Sequence, residues 1–339
     1  MKSSQHSDIA SQPPWQWQLK HAINSPQQLL QRLNLSESEV GKGDARKLFP
    51  LRVPHAFVDK MAIGDANDPL FKQIWPAEAE FQQVDGYLTD PLQEHDAAVP
   101  GLIHKYENRV LLLVRGGCAV NCRYCFRRHF PYGDNKPTEH HWQAALDYIA
   151  QRPAIKEVIF SGGDPLMAND QQLSELIAKI EQIDHVTRLR IHTRLPVMIP
   201  ERLTRELCTR LASSRLKPVI VLHINHANEV DQRLCDALHP YQQAGIWLLN
   251  QAVLLAGIND RVEALCELSE ALFDAGIQPY YLHAFDPVAN TAHFDVSDQK
   301  AQQLMRDLLP RLPGFLVPKL VREIAGESSK TPLDIRSTE

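Results

Sequence analysis

Val110-Leu111-Leu112-Leu113-Val114 runs through Arg115-Gly116-Gly117 into Cys118-Ala119-Val120-Asn121-Cys122-Arg123-Tyr124-Cys125. Five consecutive apolar residues read as a strand buried on both faces, as in a parallel sheet. The strand leads directly into three thiols with CxxxCxxC spacing. Three thiolates on one short loop can hold three irons of a cubane 4Fe–4S cluster, leaving the fourth iron open to a small molecule. Two other uses stay open at this stage. A structural zinc site needs a fourth ligand, for which His129 is the nearby candidate. A disulfide with one spare thiol is the other. It is disfavoured because Met1 to Lys20 is polar, with Pro13, Pro14 and two Trp, and carries no secretory apolar segment.

Downstream of the cysteines, short apolar runs alternate with longer amphipathic ones. Further strands are predicted at 157–160 (EVIF), 188–192 (RLRIH), 219–223 (VIVLH), 246–250 (IWLLN) and 279–283 (PYYLH). Helices are predicted over 139–151, 170–183, 200–212, 228–243, 259–274 and 297–309. Such alternation implies parallel βα units. Six of them predict an α/β fold, a partial (β/α)6 barrel, open where a full barrel has eight units. Cys118, Asp164, His192, His223, Gln251 and Asp286 fall at or just beyond C-terminal strand ends, the rim that carries active sites in parallel barrels. Before Arg109 the chain shows Pro-rich turns and helical pieces at 26–33 and 37–48, an extension expected to pack on the barrel or cover its mouth. The expected division is a helical N-terminal extension at 1–105, the barrel at 106–295, and a C-terminal segment at 296–339.

The 339 residues are 44% hydrophobic and 23% charged, an ordinary balance for a soluble chain with a large core. A net charge of −5 without a long basic run disfavours nucleic acid or an anionic membrane as partner. No apolar run approaches the roughly 18 residues of a spanning helix. Cys208, Cys235 and Cys266 sit singly in amphipathic segments and read as small hydrophobes. The reducing cytoplasm is the expected location.

CxxxCxxC after a first barrel strand resembles the radical S-adenosylmethionine (SAM) enzymes. The resemblance implies that the open iron binds SAM and that one-electron cleavage yields a 5′-deoxyadenosyl radical. Ser161-Gly162-Gly163-Asp164-Pro165, one βα unit later, resembles the superfamily's glycine-rich turn and implies contacts to the methionyl part of SAM. Three groups of residues are further similar to the lysine 2,3-aminomutase family. They are Asp90-Pro91-Leu92-Gln93-Glu94 with Val99 to Tyr106, Cys125-Phe126-Arg127-Arg128, and the strings from His223 to Glu229 and Asn250 to Asp260. The likeness spans about Asp90 to Leu333 and adds pyridoxal phosphate (PLP) to the expected cofactors.

The same resemblance assigns roles. Lys330, in Gly326-Glu327-Ser328-Ser329-Lys330-Thr331-Pro332, stands at the position of the PLP-binding lysine, although this chain has Glu327, Ser328 and Ser329 where the family has glycines. Arg127 stands where a bidentate contact to the substrate α-carboxylate is expected. Asp286 and Glu323 stand where carboxylates meet the distal ammonium of lysine, the second position normally being Asp. Lys105 and Arg109 are implied as PLP phosphate contacts, and His223 and Gln251 as SAM neighbours. The larger members carry a C-terminal zinc-binding cysteine cluster between subunits; this chain has no cysteine after Cys266, so neither zinc nor that tetramer is expected.

The expected activity is therefore radical SAM, PLP-dependent conversion of L-α-lysine to β-lysine. A one-electron reductant such as a flavodoxin or ferredoxin would be a partner. Likeness to the short bacterial branch implies (R)-β-lysine supply for modification of elongation factor P, with a link to its β-lysine ligase. A catabolic lysine mutase, a mutase for glutamate or another amino acid, and a non-catalytic iron–sulfur module are the alternatives.

Overall fold

The computed structural model describes residues 14–95, 99–132, 139–333 and 335; the polar segment before Pro14 lies outside them. One sheet carries β1 (Leu102–Tyr106), β2 (Arg109–Arg115), β3 (Glu157–Gly162), β4 (Arg188–Thr193), β5 (Lys217–His223), β6 (Trp247–Val253), β7 (Gln278–His283), β8 (Lys319–Arg322) and β9 (Thr331–Pro332). The strands lie in sequence order. Pairs from β2 to β8 are parallel, while β1 and β9 are antiparallel edges, so the sheet curls without closing. This is the expected partial barrel, and all six predicted strands are present.

Five short helices precede the sheet: α1 (Trp15–Lys20), α2 (Pro26–Leu33), α3 (Glu37–Val40), α4 (His55–Val58) and α5 (Pro69–Lys72). The crossovers are α6 (Glu139–Ala150), α7 (Asp170–Glu181), α8 (Leu195–Met198) with α9 (Arg205–Ala212), α10 (Gln232–Gln243), α11 (Val262–Asp274) and α12 (Asp298–Leu308). Two expectations are corrected. The helix predicted over 37–48 stops at Val40, because Gly41 and Gly43 adopt φ of +81° and +67°, a left-handed conformation no helix accommodates. The helix predicted from 200 begins with a 3-10 turn, Pro200–Arg202, and restarts at Arg205. The sheet also extends beyond residues 106–295, since β1 precedes and β8 follows the six predicted strands. None of the described helices is long and apolar enough to cross a membrane.

Local chemistry explains the elements. In α7, Leu173, Leu176, Ile177 and Ile180 recur at helical spacing and are fully buried against the sheet. Asn169 caps its start by accepting from Gln172 N at 2.9 Å, and Gln172 answers with a contact to the Asn169 amide. In β4, Leu189 and Ile191 point outward into the core. Arg190 and His192 alternate with them and face the barrel interior, where both line a cavity. A strand polar on its inner face leaves that interior available for chemistry.

The extension packs on the cysteine loop. Arg123, between Cys122 and Cys125, is fully buried and donates to Glu80 at 2.8 and 2.6 Å. Arg128 donates to the same carboxylate at 2.8 Å. Arg123 also donates to the carbonyls of Phe49 and Ala45, at 2.7 and 3.2 Å. The loop backbone joins in, with Asn121 N bonded to Arg52 O and Arg123 N to Gln73 O. Truncating Glu80 strands two buried cations, and breaking such a pair costs about 3–5 kcal/mol. Glu80→Ala is therefore expected to lower unfolding free energy by about that amount in urea titration, whereas Glu37→Ala on exposed α3 changes it little.

Candidate active site

Inward-facing side chains and loops at the C-terminal strand ends enclose a cavity of about 440 Å³. Every residue expected to hold the cluster, SAM, PLP or substrate lines it: the three cysteines, Ser161 to Asp164, Lys105, Arg109, Arg127, His223, Gln251, Asp286, Glu323 and Lys330. What each side chain does there varies.

Cys118, Cys122 and Cys125 are unpaired thiols at one end. Burial, then the neighbouring Cys125, Asp164 and Cys122, raises Cys118 well above the usual thiol range. Burial, followed by Cys122, pushes Cys125 up to about 11. Thiols held protonated in this way ionise when cationic metal replaces their protons. His129, the candidate fourth ligand for zinc, is not in the cavity wall; its Nε2 lies 3.3 Å from Ala289 O. Among the described residues no group of three His, Cys, Asp or Glu converges on a single ion. Three thiols without a fourth ligand suit a cubane with one open iron better than a mononuclear site.

The glycine turn reaches the cysteine loop by its backbone. Gly163 N donates to Arg115 O at 2.7 Å, and Asp164 N to Gly117 O at 3.0 Å. A Cβ on Gly162, whose φ is +124°, would meet Arg115 O at 2.3 Å. One on Gly163 would meet Gly117 O at 2.5 Å. The sequence rationale was close approach to a ligand; the structure supplies a different reason, close approach between two loops. The Asp164 carboxylate is likewise committed to neighbouring loops. It accepts from Leu166 N, Thr193 Oγ1, Arg194 N and Leu195 N at 2.7–3.0 Å, tying the β3 loop to the β4 loop.

Across the cavity, charges form an alternating row. Arg127 donates through Nε to Glu94 at 2.7 Å and through Nη1 to Ser161 at 2.9 Å and Gly162 O at 3.2 Å. Part of the fork expected to meet a substrate carboxylate is thus committed to the protein. Glu94 also pairs with Lys105 at 2.9 Å, and Lys105 with Glu323 Oε1 at 3.2 Å. Tyr106 donates to Glu323 Oε1 at 2.9 Å, and Lys330 Nζ bonds Glu323 Oε2. Burial favours the neutral acid at Glu94, but Arg127 and Lys105 override it and keep the carboxylate ionised. Burial opposes ionisation at Glu323 too, yet Lys330 and Lys105 bring it down to about 2. Glu323 therefore serves as the counter-ion of Lys330 in this state.

Asp286 is the exception. Its side chain faces the cavity, and burial raises it to about 7, with Lys330 pulling the other way and Glu323 adding to the rise. His192, His223 and His283 on β4, β5 and β7 all lose their charge first to burial, His223 falling to about 3. Arg109 stacks on the Tyr106 ring at 4.0 Å, and Lys330 Nζ lies 5.9 Å from the Tyr281 ring centroid.

Sequence reasoning did not nominate Glu94, Arg194, His283 or Tyr281, although all line the cavity. Glu94 lay within a quoted string, but its partners are 33 and 11 positions away in sequence. Arg194 donates to Cys122 Sγ from 72 positions away. No local spacing announces such pairs.

Residues 112–268 match the Radical SAM superfamily. The chain is 52% identical over 328 residues, 96% of each chain, to an L-lysine 2,3-aminomutase of Escherichia coli. It is 53% identical over 325 residues to the protein of that name from Haemophilus influenzae, covering 95% of this chain and 96% of that one. It belongs to the L-lysine 2,3-aminomutase family. A longer member from Clostridium subterminale is 35% identical over 324 residues, 94% of this chain and 77% of that one. For this family member, Gly163→Ala is expected to force the cysteine loop from the β3 loop, a steric cost of about 1–3 kcal/mol. Denaturant titration checks it, with Gly245→Ala on the open surface as the comparison whose cost is backbone strain alone.

Proposed function

We propose that this chain is a lysine 2,3-aminomutase that moves the amino group of L-lysine from the α- to the β-carbon using a 4Fe–4S cluster, SAM and PLP. The chief support is one cavity carrying three free thiols at one end and Lys330, Glu323 and Asp286 at the other, in a chain about half identical to proteins of that name. Cys118, Cys122 and Cys125 would hold the cluster, with Ser161 to Asp164, His223 and Gln251 around SAM. Lys330 would hold PLP, with Lys105 and Arg109 toward its phosphate. Together these groups supply one-electron sulfonium cleavage, hydrogen abstraction and delocalisation of an unpaired electron.

The chain's own residues bind, orient and exclude water. Arg127, braced by Glu94 and Ser161, meets the substrate carboxylate. Glu323 bonds Lys105 and Tyr106 through Oε1 and Lys330 through Oε2. When Lys330 is taken up by the cofactor, Oε2 is released, and with Asp286 it can receive the substrate's distal ammonium. An acidic pair at that end selects a cationic side chain over an anionic one such as glutamate. The uncharged His192, His223 and His283 wall the space without adding a charge that water must solvate.

The product would serve modification of elongation factor P through its β-lysine ligase, with a flavodoxin- or ferredoxin-class donor supplying electrons in the cytoplasm. Anaerobic incubation of reconstituted protein with SAM, PLP, dithionite and L-lysine tests the activity: β-lysine is the expected product. Absence of both β-lysine and 5′-deoxyadenosine would overturn it. Lys330→Ala is expected to keep wild-type iron content while losing the pyridoxal absorbance and turnover.

Asp286 generates a pH prediction. Its carboxyl lies near 7 in the unliganded protein. Holding an ammonium requires the ionised form, so lysine affinity is complete above that pH and is lost as pH falls through it. Calorimetric lysine binding measured across that range should weaken about tenfold per pH unit on the acid side. Asp286→Asn should bind weakly and lose that dependence.

A further inference from the structure

Arg194 follows β4 and is almost wholly buried, with 6% of its surface exposed. Its Nη1 donates to Cys122 Sγ at 2.8 Å and to Tyr124 Oη. Nη2 donates to Gln73 Oε1 at 2.7 Å and Glu229 Oε2 at 3.0 Å. The third donor, Nε, is buried without a partner among the described residues, beside a cavity that Arg194 itself lines. A buried guanidinium with an idle N–H next to a metal-ligand sulfur is an unfinished site.

Behind it stand Gln73 and Tyr124, together with Asn225, Glu229 and Asn259 from the strings His223 to Glu229 and Asn250 to Asp260, three residues given no role so far. Glu229 is fully buried and also accepts from Gln73 Nε2 and Asn225 N, each at 3.0 Å. Asn225 Nδ2 donates to Gln73 at 3.0 Å and Tyr124 Oη at 2.7 Å. Asn259 in turn holds the Asn225 carbonyl at 3.0 Å. Each guanidinium contact is thus fixed by a group with its own partner. The result is a cation oriented with its Nη1 edge on sulfur and its Nη2 edge on Glu229.

We propose that Arg194 is a positioning and tuning residue that stabilises the reduced state of the cluster through its charge-assisted bond to the Cys122 sulfur. This role presupposes the cluster proposed above. A [4Fe–4S]2+ centre with three thiolates carries a net charge of −1, and one electron from a flavodoxin- or ferredoxin-class donor takes it to −2. No bond is made or broken in that step. The added charge spreads onto the sulfurs, where a fixed N–H donor strengthens its hold. Arg127 and Arg128 also flank the loop, but among the described residues their guanidinium groups donate to oxygen atoms. Arg194 reaches a cysteine sulfur.

Dithionite titration of anaerobically reconstituted holoenzyme, followed by electron paramagnetic resonance with iron and sulfide analysis, reads the effect. In Arg194→Gln the ratio of reduced to oxidised cluster at fixed solution potential should fall about tenfold, equivalent to about 59 mV for one electron. Arg194→Lys should recover most of that loss. Because Arg194→Gln leaves Glu229 buried and unpaired, Arg194→Met/Glu229→Gln removes both charges and should show the same fall. An unchanged ratio in either variant at wild-type iron content overturns the proposal. Failure of the unmodified protein to take up a cubane would overturn the cofactor assignment itself, and this inference with it.

Discussion

A guanidinium removed from water must find a carboxylate, and this requirement organises the molecule around its cysteine loop. The loop from Cys118 to Phe130 contains Arg123, Arg127 and Arg128, and Arg194 presses on it from β4. Their counter-ions come from elsewhere: Glu80 and Glu94 from the segment before β1, Glu229 from the β5 loop. The loop can be buried only when all of these segments are in place. Its thiols therefore take their positions from the folded protein.

The same pairing explains why the extension is part of the catalytic architecture. Glu94 binds Arg127 on one side and Lys105 on the other. Lys105 then meets Glu323, and Glu323 meets Lys330. An unbroken row of alternating charge thus runs from the loop after Cys125 to the proposed cofactor lysine. Each inner member, Glu94, Lys105 and Glu323, is held by two neighbours of opposite sign, which limits its rotation and lowers the cost of burying it.

Much of the architecture was legible in the sequence because it is written in local periodicity. All six strands and the crossover helices other than the four-residue α8 follow from apolar runs and helical spacing, with deviations only at their ends. The break after Val40 was missed because Gly41 and Gly43 act through a left-handed conformation, while the surrounding pattern still reads as helix. β1, β8 and β9 were missed because strands of two to five residues carry too little pattern. The site was legible as a set of residues but less so as a set of contacts. Asp164 and Gly162-Gly163 were nominated for a ligand, yet they tie loops together, which only long-range geometry reveals. Glu94 and Arg194 were passed over for the same reason.

The two ends of the cavity differ in how charge is handled. Around the thiols, cations are fixed and compensated, so charge added there meets an environment that need not reorganise. At the Lys330 end, burial raises the Asp286 carboxyl to about 7, outweighing the pull of Lys330 and Lys105. That carboxyl gains more from a new cation than Glu323, which already has two lysines. Under the proposed function, specificity for a cationic side chain would therefore rest chiefly on Asp286, with Glu323 acting first through Lys330. The longer Glu side chain at position 323 spans both lysines at once, bonding Lys105 with one oxygen and Lys330 with the other. The additional methylene is thus accounted for by the contacts it makes on the protein side of the cavity.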